Sequence, residues 1–160
     1  MAAGIAETLE TWNSFYANHP ILRAGLAFTH VGGLVLGGGS AVMLDRLTLR
    51  AGAEPGARAG MLRLLSGSHV TVVSSLAAMT LSGVLMAAAD FDTFVHSKLF
   101  WAKMALFILL LANGALLVKA ERRATASLEH GWPLMRAAAS ISLLLWALTT
   151  MLGAALPNFG

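Results

Sequence analysis

Residues 27–46 read AFTHVGGLVLGGGSAVMLDR, and the fold class turns on this stretch. Residues 24–44 contain no Asp, Glu, Lys or Arg. A helix needs about 20 mostly apolar residues to cross the hydrocarbon core of a bilayer, so this run predicts a membrane span. Its middle is glycine: Gly32, Gly33, Gly37, Gly38 and Gly39. Gly33 and Gly37 form a GxxxG pair that Ala41 continues, a small-residue face that lets another helix, or a flat macrocycle, approach the backbone closely.

Working outward from this span, set at residues 21–44, three more stretches pass the same length test: 70–89, 99–118 and 134–156. Together they use nearly all of the 160 residues, so an all-α, integral membrane four-helix bundle forming one domain over residues 1–160 is expected. The composition agrees, with 57% hydrophobic and 12% charged residues and a mean hydropathy of +0.71. A soluble domain is about 25% charged. The few charges cluster between apolar stretches, which excludes a disordered chain, a coiled coil and a nucleic-acid binder. With no cysteine there is no disulfide framework, thiolate metal site or cysteine nucleophile.

Residues 1–15 are expected to form a short interfacial helix anchored by Trp12 and Phe15 and ended by Pro20. The polar stretch at 7–19 and the length of the apolar run speak against a cleaved signal peptide. Arg46, Arg50, Arg58 and Arg63 follow the first span, and Lys119, Arg122, Arg123 and Arg136 follow the third. These are eight of the eleven basic residues, so the positive-inside rule places both connections in the cytoplasm and both termini outside, in a bacterial inner membrane. The connection at 51–59, AGAEPGARA, reads as a flexible linker. The acidic segment at 90–96 is then external, and Trp101 and Trp132 fall near opposite interfaces.

His30 lies three residues before Gly33, on the same face. A histidine inside a span is costly without a partner, which makes it a functional-site candidate. It either ligates a metal or tetrapyrrole, or bonds a hydroxyl across the bundle. A second ligand could come from span 2. His69 starts that span, but helix geometry puts it more than about 10 Å to the inner side of centre, with His30 roughly 5 Å to the outer side. Met79, with Thr80, lies at the depth of His30, which favours His/Met ligation of one haem. His19 and His96, with Asp90 and Asp92, gather near the outer boundary and could hold Cu(II) or Zn(II), or remain solvated loop residues. Lys103 can snorkel, and Asn113 must find a partner. No Walker loop, dinucleotide GxGxxG, GxSxG or HExxH occurs, so hydrolytic and nucleotide-dependent catalysis has no motif.

The run THVGGLVLGG at 29–38, Ser82-Gly83 late in span 2, LFWAKMAL at 99–106 and Asn113-Gly114-Ala115 resemble the four-helix core of the copper-resistance D family of copper-export membrane proteins. That core shows a His followed by Trp-x-Gly-Gly, then Thr/Ser-Gly late in the next helix. Here Leu36 stands at the Trp position. The resemblance covers about 130 residues and implies a four-helix membrane bundle handling copper or b-type haem, with His30 as the site residue carried over. Small membrane cytochromes b share the architecture, an analogy of fold alone.

Three functions follow as expectations. The first is a haem b or related tetrapyrrole bound through His30, beside Gly33 and Gly37, in electron transfer or in a membrane redox complex. The second is copper handling, with His19, His96, Asp90 and Asp92 capturing the ion and Met79, Met86 or Met104 passing it inward. The third is a cofactor-free accessory or assembly subunit. The expected partners are the lipid bilayer, a membrane protein or a second copy through the glycine-rich faces, and a quinone.

Overall fold

A computed structural model describes residues 2–51 and 54–159. Among them every element is a helix: α1 (Ala2–Asn18), α2 (Pro20–Gly33), a π-helical turn (Leu34–Gly38), α3 (Gly39–Arg50), α4 (Pro55–Ala89), α5 (Phe91–His96), α6 (Lys98–Ala126) and α7 (Leu128–Phe159). The π turn joins α2 to α3 without a break, so the described residues contain four helices long and apolar enough to cross a membrane: Pro20–Arg50, Gly56–Ala89, Lys98–Ala126 and Leu128–Asn158. Outward side chains are large and apolar, such as Phe28 at 79% exposure and Val70 and Ile21, as a lipid-facing surface requires.

Local chemistry sets the helix starts. Pro20 occupies the first turn of α2, where its missing N–H costs nothing, and Pro55 does the same for α4. Glu54 caps α4 by accepting a 2.7 Å hydrogen bond from the Ala57 N–H, and Ser97 caps α6 by accepting one of 3.2 Å from Phe100. The connections between the long helices are short, so successive spans run antiparallel. One end of the bundle carries α5 and the last turns of α7, and is called the terminal end; the other carries seven of the eight arginines and is called the basic end.

The spans pair unequally. α6 and α7 form the most extensive contact, closed at the basic end where Gly131 lies so near the Ala124 backbone that a Cβ would overlap it. Asn113 of α6 finds its partner here, donating 2.9 Å to the Ala138 carbonyl of α7. α2 packs on α4, and α3 packs chiefly on α7. α4 and α6 touch little, with His69 and Glu121 bonded between them at 2.8 Å near the basic end. α1 docks against the far end of α4, where the Trp12 indole N–H donates 2.9 Å to the Leu85 carbonyl. Two buried clusters result: Met79, Leu110, Leu145 and Trp146 at mid-height, and one around Met61, Leu65, Trp132 and Met135 towards the basic end.

Several expectations change. Residues 55–59 belong to the first turns of α4 and are not part of a flexible linker, because Glu54 and Pro55 start a helix there; Gly52 and Ala53 lie outside the described residues. The eight basic residues ride on helical extensions of the spans, not on loops. The acidic segment winds into α5. Trp101 remains exposed, donating 2.9 Å to the Val95 carbonyl, but Trp132 is 2% exposed beneath the Arg58 guanidinium, 5.0 Å above its ring, and so is a core residue instead of an interface anchor. α1 runs on to Asn18, past Phe15.

Candidate functional site

The glycine face of the first span meets α4 directly. A Cβ on Gly33 would stand 2.8 Å from the Ser75 carbonyl oxygen, and one on Gly37 2.8 Å from the Ser75 Cβ. Such contact is possible only because both positions lack side chains. Gly25, Gly32 and Gly39, by contrast, have nothing within 4 Å of a would-be Cβ. The face expected to receive a macrocycle or a partner helix is thus occupied at Gly33 and Gly37 by α4 of the same chain.

His30 sits one turn nearer the terminal end and turns towards α4. Its Nδ1 lies 2.8 Å from the Met79 carbonyl and 3.4 Å from the Ser82 hydroxyl, and its ring fills the space above Gly83, where a Cβ would stand 2.8 Å from Cε1. A carbonyl oxygen only accepts, so Nδ1 carries the proton, and in the neutral ring Nε2 keeps its lone pair. Ser82 spends its own hydroxyl proton on the carbonyls of Ala78 and Met79, at 2.7 and 3.1 Å. Lys103 of α6, half-buried, stands close enough for its charge to act on the imidazole, and its Nζ lies 3.6 Å from where a Cβ on Gly153 of α7 would be.

The other residues singled out in the sequence are placed elsewhere. Met79 offers His30 its carbonyl, while its side chain packs in the mid-height cluster with Leu110, Leu145 and Trp146. His69 is ten residues before Met79 on α4, about 15 Å along the axis, and its Nε2 is engaged by Glu121. His19 and His96 are exposed, each with Nδ1 on the carbonyl of the residue four before it, Phe15 at 2.7 Å and Asp92 at 2.8 Å. Asp90 and Asp92 are exposed as well. Among the described residues no three His, Cys, Asp or Glu side chains form a group that could hold a metal ion.

One polar region escaped the sequence reading. Asp45 and Thr48, on the buried face of α3, are each 1% exposed, and Ser142 of α7 is buried opposite. The signal was in the opening stretch, where Asp45 follows Leu44 without any helix stop. A regular helix would set Asp45 about 120° round from Gly33, but the extra residue taken up by the π turn rotates it back by roughly 100°, onto the interior face.

Comparison with family models finds no match to this chain, and comparisons with curated proteins and with solved structures find none either.

Proposed function

We propose that this protein is a four-span inner-membrane electron-transfer component that binds haem b, or a related tetrapyrrole, through Nε2 of His30. The observation that carries the reading is the Nδ1 contact to the Met79 carbonyl. Histidines that bind a metal almost always donate the other ring N–H to such an acceptor, which fixes the tautomer and leaves Nε2 as the ligating atom. Lys103 supports the reading, since an ammonium on α6, whose charge acts on the imidazole, can pair with an acidic substituent of the macrocycle. A bound haem would supply one-electron chemistry, and the chain's own part would be to hold the imidazole, exclude water with its apolar helices and balance charge with Lys103. The fit ends there. The Met79 thioether is packed in the core and His69 is bonded to Glu121, so neither serves as the second ligand in this arrangement, which would come from a partner in a redox complex.

The positive-inside rule puts the arginine-rich end in the cytoplasm and the termini outside. The resemblance to the copper-resistance D family is compatible with His30 as the site residue. A cofactor-free accessory subunit is the second reading. It is favoured by the closure of Gly33 and Gly37 against Ser75 and by a His30 ring that already has protein partners.

An absorption spectrum of the detergent-purified protein, oxidised and dithionite-reduced, with metal analysis of the same sample, decides between them. The haem reading expects a Soret band and a reduced-minus-oxidised difference that His30→Ala removes from a protein still folded. A colourless, iron- and copper-free protein overturns it in favour of the accessory subunit, and stoichiometric copper without a Soret band returns the function to copper handling.

A further inference from the structure

The second buried polar region is independent of His30. It lies fifteen residues further along the same span, about 22 Å towards the basic end. Asp45 Oδ2 and Thr48 Oγ1 are both shielded from solvent, and neither has a hydrogen-bond partner. The two side chains are three residues apart and so lie on one face of α3, where the Ser142 hydroxyl of α7 is the polar group turned towards the carboxyl.

No opposite charge answers Asp45 among the described residues. Its neighbours Arg46 and Arg50 on α3, and Arg136 on α7, are exposed and turned outward. On α4, Arg58 lies over the Trp132 ring, Arg63 is exposed and His69 bonds to Glu121 of α6. Leu44, Met135 and Ala138 are buried nearby in sequence on the same two helices; the neighbouring polar groups are Asn113, which donates to the Ala138 carbonyl, and the Trp132 indole N–H, which is buried without a partner in the cluster that holds Leu44 and Met135. A bare carboxylate in such surroundings costs several kcal/mol, so buried charges are paired or neutralised. A carboxylate and two hydroxyls with no cation among them form the kind of hard-donor set that suits a proton or an alkali cation.

We propose that Asp45, Thr48 and Ser142 form a monovalent-cation site between the first and last spans, occupied by Na+ or by a proton. The bound charge neutralises Asp45, and the Thr48 and Ser142 oxygens complete its surroundings. Because the site joins α3 to α7, its occupancy sets how tightly the first span is held against the α6/α7 pair. Haem at His30 plays no part in this.

The test is the thermal unfolding midpoint of the full-length protein in detergent. It is measured across NaCl concentrations at constant ionic strength made up with choline chloride, and separately across pH 5.5 to 8.5. If Na+ is the occupant, the midpoint rises saturably with Na+ by roughly 5 °C, Thr48→Val weakens the response, and Asp45→Asn abolishes it. If a proton is the occupant, Na+ has no effect, the midpoint rises as pH falls, and Asp45→Asn stays at the low-pH value throughout. Infrared difference spectroscopy adds a readout for the case in which Asp45→Asn does not fold: a protonated-carboxyl band that Thr48→Val shifts supports the proton. A wild-type midpoint indifferent to both Na+ and pH, with no carboxyl band, overturns the proposal. So does a response that Asp45→Asn retains. None of these outcomes depends on the absorption spectrum, so the two sites stand or fall separately.

Discussion

The two halves of the first span solve the same problem in opposite ways. In α2 and the start of the π turn, the half towards the terminal end, glycine lets the helices meet closely: Gly33 and Gly37 seat on Ser75 of α4, and the ionisable side chain turned towards α4, His30, finds a carbonyl on that helix. In α3, the half towards the basic end, the partner is α7 and the contact is made by side chains, with the Trp146 ring lying over Gly38 and Asp45 facing Ser142. The π turn lies between them and keeps Asp45 on the interior face of the span. A membrane helix gains little from burying apolar surface, because lipid is equally apolar, so its cohesion comes from close packing and from satisfied polar groups. By that measure the α2 half is finished, and the α3 half keeps a polar centre with atoms to spare.

The largest expected effect comes from breaking the finished half. Gly33→Leu drives a side chain into the Ser75 carbonyl, which belongs to the backbone of α4 and cannot swing aside. Overpacking of this kind costs at least about 1–3 kcal/mol, and here α2 must separate from α4. Gly32→Leu is the control one residue away. It meets open space, and removing a helical glycine should be neutral or stabilise by up to about 1 kcal/mol. Unfolding in detergent should therefore show a sharply lowered midpoint for Gly33→Leu and an unchanged or raised one for Gly32→Leu. Equal loss in both variants would mean that the span is held by lipid-facing glycine and not by the contact with Ser75.

A smaller loss is expected on the other side of the π turn. Trp146→Ala removes a ring that is 5% exposed and packed among Met79, Leu110 and Leu145, leaving a cavity over Gly38. Truncating a large buried aromatic costs about 3–5 kcal/mol in a soluble core, and less is expected where the transfer contribution is weak, so roughly 2 kcal/mol should be lost. If Gly38→Ala alone destabilises as much, the ring is rigidly fixed; if it is mild, the ring can shift.

The sequence carried the number and position of the spans, because length and hydropathy are local properties. It also carried the glycine face and the direction of His30, since both follow from a period of 3.6 residues. It missed what depends on departures from that period. The π turn is invisible to any regular template, so Asp45, immediately before Arg46 and five residues before Arg50, reads as the polar end of a span when it is an interior residue. The preference of tryptophan for interfaces puts Trp132 at one, yet Arg58 from α4 covers its ring, a contact across 74 residues of sequence that no local rule supplies. The depth of Met79 says nothing of which of its atoms meets the histidine: in this arrangement the backbone carbonyl faces the imidazole and the thioether packs in the mid-height cluster.

The smallest expected effect is also the most discriminating for the α2 half. The Met79 carbonyl is a helical acceptor in the middle of α4, so losing the His30 contact does not strand it, and His30→Ala should cost only about 1–2 kcal/mol, mostly from the space vacated beside Gly83. His30→Gln offers an amide N–H to the same carbonyl and should recover part of that, leaving the midpoint within about 1 kcal/mol of wild type. A glutamine amide, however, lacks the imidazole lone pair that binds iron. A stable, colourless His30→Gln beside a coloured wild type would show that the ring is kept for ligation and that its hydrogen bond serves to aim it. If wild type and His30→Gln are equally stable and both colourless, packing alone explains the histidine, and the α2 half is closed in function as it is in structure.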